Sequence, residues 1–216
     1  MHSPSRDLAR VIRRPGVDIV IAGDSLTAGM HASDPRRSYP ALVVAALTAA
    51  GGGPASTHIA GLPGGRVEDL LRRRPPAGRR LVVVEVGTND WVGYRPRGPW
   101  RATPIAEFRR SYARLVRRLV GRGTPMLICL GVWGPSGERS EVGAALDGFD
   151  RVIAAECGAR GGRFVPLSAI HDDPDARGPA GRSTPFGVSD ETHPNDQGHA
   201  LIAGLVAAAA SRRAVS

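Results

Sequence analysis

The stretch VDIVIAGDSLTAGM at residues 17–30 joins an apolar run to a polar and acidic end. Its first part, residues 17–22, has the continuous apolar pattern of a strand that is covered on both faces. Gly23, Asp24 and Ser25 follow at once, at positions where core packing has no use for them. Two interpretations are open at this point: a turn that is polar by chance, or a strand whose end presents Ser25.

The same succession of a strand pattern and a helix pattern recurs along the chain, and it makes five βα units. The predicted strands cover 17–22, 57–60, 79–87, 125–132 and 163–167, and the predicted helices cover 39–50, 66–73, 104–120, 138–160 and 196–210. Residues 168–189 are predicted to be a long loop rich in Pro, Gly and Asp. Parallel neighbouring strands need helical crossovers, so the pattern predicts an α/β fold with a parallel sheet between two layers of helices.

The length of 216 residues fits one domain. We expect that domain to span residues 1–216, with an N-terminal extension at 1–16 and a short tail at 212–216. Neither an internal repeat nor an interdomain linker is visible in the sequence.

The formal charge of +9 raises the question of a polyanionic partner, because clustered cations bind phosphate backbones. All 29 basic residues are Arg, and the densest runs, at 71–80 and 109–122, have the pattern of solvated helix sides. No aromatic residues alternate with them, as a groove that stacks bases requires. We therefore predict no nucleic-acid partner, and we keep a noncatalytic Arg-rich polyanion-binding module as an alternative.

The compartment is predicted from what the sequence lacks. Residues 1–16 contain no apolar stretch of the kind found in secretion signals, and no segment approaches eighteen consecutive apolar residues. These features predict no membrane span and a cytoplasmic location. Cys129 and Cys157 lie in apolar segments without metal-ligand spacing, so we expect buried free thiols.

Ligands of parallel α/β sheets bind beyond the carboxyl ends of the strands. Three polar motifs follow predicted strands: GDS at 23–25, GLPGG at 61–65 and GTNDW at 87–91. A fourth, SDETHPN at 189–195, ends the long loop.

A serine hydroxyl becomes a good nucleophile when a base takes its proton and a third group fixes the tautomer of that base. Asp190 and His193 are three residues apart, a spacing that places both on one side of a single helical turn. Asp190 could then orient the ring while the other ring nitrogen faces Ser25. Taken alone, the same spacing also occurs at helix starts and in surface pairs.

Acyl transfer also needs N–H donors where the oxyanion develops. The glycine loop at 61–65 can supply backbone donors, and Asn89 can supply a side-chain amide. Each also has an ordinary structural explanation, a tight turn for the glycines and a helix N-cap or turn for Asn89.

The order of these motifs resembles that of the SGNH hydrolases, also called the GDSL family of esterases and lipases. AGDSLTAG, AGLPGG, VEVGTND and SDETHPND are similar to the four blocks of that family, and the resemblance covers about residues 17–206. It implies a flavodoxin-like, three-layer α/β/α sandwich with a five-stranded parallel sheet.

The resemblance also implies a role for each marker residue. Ser25 corresponds to the nucleophile, His193 to the general base and then acid, and Asp190 to the residue that orients the imidazole. The oxyanion hole would comprise the Ser25 N–H, the Gly64 N–H and the Asn89 amide.

The second block departs from the family pattern at Ile59, where the family often has Asn. This departure leaves Gly65 as an alternative to Gly64. Thr27 stands where a GxSxG motif has its second glycine, which argues against a standard α/β-hydrolase elbow.

Further candidates surround these motifs. Asp24, Trp91, Tyr94 and Trp133 are candidate substrate-binding residues, with core packing as the alternative for each aromatic side chain.

Among the histidines, His31 and His58 are read as polar loop residues that could also touch substrate. His171 is grouped with a solvated acidic loop rather than with a metal site, and His199 with the last helix.

The expected function is that of a serine esterase that hydrolyses an acyl or acetyl ester of a small molecule, sugar or lipid through a covalent acyl-enzyme. An acyltransferase that passes the acyl group to a sugar or secondary-metabolite alcohol is the alternative within the same fold. The chemistry requires no metal and no organic cofactor, and the expected partner is a small-molecule ester. The acyl length, the alcohol and the oligomeric state are left open.

Overall fold

The computed structural model describes residues 19–50, 56–93, 101–121, 125–135 and 141–211. For residues 141–143 it describes the backbone alone.

Five parallel strands form the central sheet, in the order β2-β1-β3-β4-β5. They are β1 (Ile19–Gly23), β2 (Thr57–Gly61), β3 (Leu81–Glu85), β4 (Met126–Leu130) and β5 (Arg163–Val165). β1 and β3 are buried along their whole length, as the continuous apolar runs predict. The predicted five-stranded parallel sheet is confirmed.

Seven α-helices occur in the described residues: α1 (Tyr39–Ala49), α2 (Val67–Arg73), α3 (Thr88–Val92), α4 (Ile105–Val120), α5 (Glu141–Gly158), α6 (Ser168–His171) and α7 (Asp196–Ser211). Two 3-10 helices, Pro35–Arg37 and Pro174–Ala176, and an antiparallel hairpin of β6 (Ser183–Thr184) and β7 (Gly187–Val188) complete the described structure.

The helices cover the sheet from both sides because alternate strand residues face opposite ways. On one side, Ile19 and Ile21 of β1 pack with side chains of α1 and α7. On the other side, Val20 and Ala22 pack with side chains of α2, α4 and α5. The strands therefore lie in the middle of a three-layer α/β/α sandwich.

The loop predicted at 168–189 is more ordered than the sequence indicates. It contains α6, the 3-10 helix Pro174–Ala176 and the β6–β7 hairpin. These elements are only two to four residues long, too short for any hydrophobic period to reveal them. The short helix α3 was not predicted either.

The prediction of free thiols is wrong. Cys129 of β4 and Cys157 of α5 form a disulfide, with Cα atoms 6.2 Å apart. Both residues are fully buried, as expected, and both belong to the core on the α4–α5 side of the sheet. The two cysteines are 28 positions apart in sequence, and the sequence between them gave no sign that the strand and helix would meet at this point.

In α4 the Arg-rich run lies on the solvated side of the helix, as predicted. The exposed arginines of α4 are Arg109, Arg110, Arg114, Arg117 and Arg118. In the run at 71–80, Arg72 and Arg73 are exposed on α2, whereas Arg80, just before β3, is buried. No helix among the described residues combines the length and apolar character needed to cross a membrane. The cytoplasmic location stays a prediction.

The strand order reverses between β1 and β3. The chain leaves β1 to build β2 on one side, and β3, β4 and β5 follow on the other. Such a reversal opens a crevice at the carboxyl ends of the two central strands, because their following loops turn to opposite sides. Those loops carry Ser25 and Asn89.

Candidate active site

Ser25 lies just beyond the end of β1, with 6% of its surface exposed. Gly23 sits where a Cβ atom would collide with the backbone oxygen of Glu85 and with Oγ1 of Thr27. A glycine at this position thus lets β1 and β3 remain close where the chain turns toward Ser25.

Ser25, His193 and Asp190 form a continuous line of hydrogen bonds. Oγ of Ser25 is 3.0 Å from Nε2 of His193, although 168 residues separate the two in sequence. Nδ1 of His193 is 2.8 Å from Oδ2 of Asp190. This arrangement can move a proton from the hydroxyl to the imidazole while the carboxylate holds the ring.

The turn that holds Asp190 and His193 is not helical, in contrast to the expectation from their spacing; the bend precedes the start of α7 at Asp196. Oδ1 of Asp190 accepts hydrogen bonds from the Thr192 N–H (2.8 Å), the Thr192 hydroxyl (2.9 Å) and the His193 N–H (2.8 Å). The same carboxylate therefore shapes the loop with one oxygen and binds the imidazole with the other. This is the local behaviour that favours Asp in turns.

These bonds also fix the charge of Asp190. Burial raises its pKa, but the hydrogen bonds from the His193 and Thr192 N–H groups, together with the charge of His193, outweigh burial and hold the pKa well below its usual value. Asp190 is therefore ionised at neutral pH.

The glycine loop offers one N–H without an internal partner. Gly65 donates its N–H to the carbonyl oxygen of Leu62 at 2.8 Å. The N–H groups of Ser25 and Gly64 form no hydrogen bond with any described residue. Gly64 has φ of +70°, a backbone conformation that residues with a side chain rarely adopt.

Asn89 lies at the start of α3 and is 8% exposed. Its Nδ2 donates to the carbonyl oxygen of Gly65 at 3.0 Å and to Oδ2 of Asp24 at 3.3 Å. The amide is thus adjacent to the glycine loop, and its longer bond, to Asp24, is the one more readily given up.

Asp24 is fully buried behind Ser25 and does not line an open surface, in contrast to a residue that binds substrate directly. Its Oδ1 accepts from the Leu26 N–H at 3.2 Å and lies 3.4 Å from Oγ of Ser25. Burial raises the pKa of Asp24 to about 6. Burial and the Asp24 carboxylate together raise the pKa of the adjacent Glu85 well above its usual value, so Glu85 favours its protonated form.

The aromatic candidates have different positions. Trp133 is 4% exposed and belongs to the core. Its Nε1–H donates to the carbonyl oxygen of Thr192 at 2.7 Å, and its backbone N–H donates to Oγ1 of Thr88 at 3.0 Å. Trp133 therefore ties the loop that carries His193 to the loops after β3 and β4.

Trp91 is half-buried and packs against the core on the α4–α5 side, next to Gly134. Tyr94 lies outside the described residues.

His31 lies at the site; the sequence favoured a polar loop residue and left a contact with substrate open. Its ring meets the ring of His193 edge-on, with centroids 4.8 Å apart, and its Nδ1 accepts the Asp190 N–H at 3.3 Å. It holds φ of +66°, uncommon for a residue with a side chain. Burial, followed by the charge of His193, lowers the pKa of His31, so the neutral imidazole is favoured.

His199 serves the fold instead. Its Nε2 donates to the carbonyl oxygen of Met30 at 2.9 Å, and its Nδ1 accepts the Tyr39 N–H at 3.3 Å. Burial lowers its pKa to about 4, which keeps the ring neutral. His199 thereby joins α7 to the segment after Ser25.

The GDSL-like Lipase/Acylhydrolase family matches residues 21–201 of the chain. A comparison of the chain with curated proteins found no match.

Among the solved structures with a similar fold, three are described by their identity to this chain, TM-score and coverage. A lipase/acylhydrolase from Enterococcus faecalis is 20% identical, with a TM-score of 0.64, and the match covers 91% of this chain and 99% of that one. LAE5, an alpha/beta hydrolase from the metagenome of Lake Arreo, Spain, is 22% identical, with a TM-score of 0.67 and coverage of 90% and 95%. A variant of Axe2, an acetyl xylan esterase from Geobacillus stearothermophilus, is 20% identical, with a TM-score of 0.67 and coverage of 93% and 97%.

At these identities the structural likenesses establish the shared fold, and the family match extends over most of the chain. The chain belongs to the GDSL-like lipase/acylhydrolase family and is an SGNH-type hydrolase of ester bonds.

Proposed function

We propose that the protein hydrolyses carboxylic esters through a covalent acyl-enzyme on Ser25, and that its substrates are short-acyl esters, acetyl above all, of polar alcohols such as sugars. The observation that carries the mechanism is the line of hydrogen bonds from Ser25 through His193 to Asp190, with distances of 3.0 and 2.8 Å.

In the first half of the reaction, Oγ of Ser25 bonds to the ester carbonyl carbon as its proton passes to Nε2 of His193. The ionised Asp190 stabilises the imidazolium that results. The tetrahedral intermediate collapses when the C–O bond to the alcohol breaks and the alcohol leaves with the proton from His193. Water then attacks the acyl-enzyme by the same route, which releases the acid and restores Ser25.

The oxyanion is assigned to the N–H groups of Ser25 and Gly64, with the amide of Asn89. The first two form no hydrogen bond with any described residue, and preorganised donors are worth most where charge develops. Gly65 is a poorer candidate than Gly64, since its N–H already bonds to Leu62. Asn89 would exchange its 3.3 Å bond to Asp24 for the oxyanion.

The polar alcohol is supported by a cavity beside the site. It has a volume of about 260 Å³, includes His31, Ser33, Arg182, Asp196 and Gln197 in its lining, and suits an alcohol rich in hydroxyl groups better than an alkyl chain. The Axe2 esterase, which shares the fold, is described as acting on acetyl xylan, and this supports acetyl as the acyl group.

Two measurements test the proposal. Acid-quenched reactions with a nitrophenyl ester, digested and analysed by mass spectrometry, should carry the acyl group on the peptide that contains Ser25. A panel of acetyl, butyryl and octanoyl esters, with acetylated xylo-oligosaccharides included, should give the highest kcat/KM for acetyl. An octanoyl preference would reject the substrate proposal, and an acyl group found only on another residue would reject the nucleophile. Acyl product formed with an added alcohol, in place of free acid, would indicate acyl transfer.

Asn89→Ala is expected to lower kcat about 100-fold, since one oxyanion donor is lost. KM should change far less, because the donor acts mainly on the transition state. The matched control is Asn195→Ala. Asn195 lies just before α7, and its side-chain amide donates to the carbonyl oxygens of Asp175 and Arg177. Asn195→Ala should lower the melting temperature and keep kcat; because Asn195 also lines the cavity proposed for the alcohol, any effect on substrate binding should appear in KM. Equal kcat losses in the two variants would argue against an oxyanion role for Asn89.

A further inference from the structure

His31 is not needed for the steps described above, yet it completes a cluster of metal-ligating side chains. The ligand atoms of His31, Asp190 and His193 lie within 4.8 Å of one another. Within the described part of the chain, no second group of three His, Cys, Asp or Glu side chains has this spacing.

The distances inside the cluster approach those of a coordinated ion. Nδ1 of His31 is 3.6 Å from Oδ1 of Asp190, and Nδ1 of His193 is 2.8 Å from Oδ2 of Asp190. Ligand atoms at about 2.1 Å from a tetrahedral Zn²⁺ are about 3.4 Å apart, so ring movements of about 1 Å would bring all three onto one ion. The Asp190 side chain is 47% exposed, which gives the ion a path from solvent.

The donor set also selects the ion. Two imidazoles and one carboxylate suit Zn²⁺ and similar transition metals, whereas Mg²⁺ and Ca²⁺ prefer oxygen ligands alone.

We propose that His31, Asp190 and His193 form an inhibitory binding site for Zn²⁺. An ion on Nδ1 of His193 takes the place of the proton shared with Asp190, and the single proton of the neutral ring then stays on Nε2. Nε2 has no lone pair left to accept the proton of Ser25, so the attack stops. This inhibitory consequence rests on the proposed function, whereas ion binding does not.

Binding is tested first without catalysis. Calorimetric titration of Ser25→Ala with Zn²⁺ should give one bound ion per chain, since Ser25 is not a ligand. Ser25→Ala/His31→Asn should bind Zn²⁺ about tenfold more weakly or worse. Asn is chosen because it tolerates the left-handed backbone of position 31 better than most residues. Equal affinity in the two proteins, or no binding by Ser25→Ala, would overturn the proposal.

Inhibition is tested on the active protein. Zn²⁺ should inhibit ester hydrolysis reversibly, with recovery on addition of EDTA, and Mg²⁺ at the same concentration should not. In His31→Asn, measured against its own metal-free rate, half-inhibition should need about tenfold more Zn²⁺ or higher. His58→Asn, which removes an exposed imidazole of β2, should respond like the unchanged protein.

Inhibition that follows His58 instead of His31 would overturn the proposal. If His31→Asn has no measurable activity, the calorimetric comparison decides alone. Hydrolysis that does not depend on Ser25 would contradict the proposed function, and the calorimetry would still report on the ion site.

Discussion

Ser25→Ala is expected to lower kcat for a short nitrophenyl ester by about 10⁴-fold or more. The substitution removes the Oγ atom that lies 3.0 Å from Nε2 of His193. No acyl-enzyme can then form, and only the rate supported by substrate binding and the oxyanion donors remains. The measurement is nitrophenolate release by the purified protein, together with the loss of acyl label on the peptide that contains position 25.

The control for this variant is Ser38→Ala. Ser38 is a buried serine shortly after the site, and its hydroxyl donates to the carbonyl oxygen of Pro35 at 2.7 Å. Ser38→Ala should keep its turnover, and Ser25→Ala should keep its melting temperature. If Ser25→Ala retained about a tenth of the original rate with an unchanged fold, Ser25 would not be the nucleophile.

The parts of the fold that depend on repeated patterns could be predicted from the sequence. β1 and β3 are continuous apolar runs because helices cover both of their faces, and that composition is visible in any window that contains them. The rule that ligands bind beyond strand ends then pointed to Ser25 and Asn89, which the structure places next to the reversal of strand order.

Contacts between distant segments could not be predicted in the same way. Cys129 and Cys157 meet because α5 packs against the sheet at β4, and the local sequence does not reveal that contact. Trp133 also looked like a substrate-pocket residue, whereas its indole N–H supports Thr192, the residue before His193. Both interactions need the assembled tertiary structure to become visible.

Within the candidate active site, too, some features could not be predicted from the sequence. The spacing of Asp190 and His193 indicated that they would meet, but it suggested a helical turn in place of the bend that Oδ1 of Asp190 organises. His31 lies against both residues although it is far from them in sequence. Asp24, a candidate substrate-binding residue in the sequence, is fully buried, and its carboxylate accepts a hydrogen bond from the Leu26 N–H instead.

Asp190→Asn is expected to lower kcat by about 10⁴-fold. Because the pKa of Asp190 lies well below its usual value, the carboxylate is ionised throughout the neutral range, and the substitution removes a full charge there. The new side-chain amide would donate to Nδ1 of His193, which moves the ring proton to Nε2. That tautomer cannot accept the proton of Ser25, and the imidazolium also loses its counter-charge. The measurement is kcat for the same nitrophenyl ester.

A purely structural role for Asp190 predicts a different result. The Asn oxygen can still accept the three hydrogen bonds that Oδ1 of Asp190 takes from Thr192 and His193, so the loop should persist in Asp190→Asn. Asp190→Ala loses those bonds as well, and its melting temperature should fall below that of Asp190→Asn. Glu191→Gln removes one negative charge from the next, exposed residue and should leave kcat nearly unchanged. If Asp190→Asn were as active as Glu191→Gln, the Asp190 carboxylate would be needed only to shape the loop, and another group would have to fix the tautomer of His193.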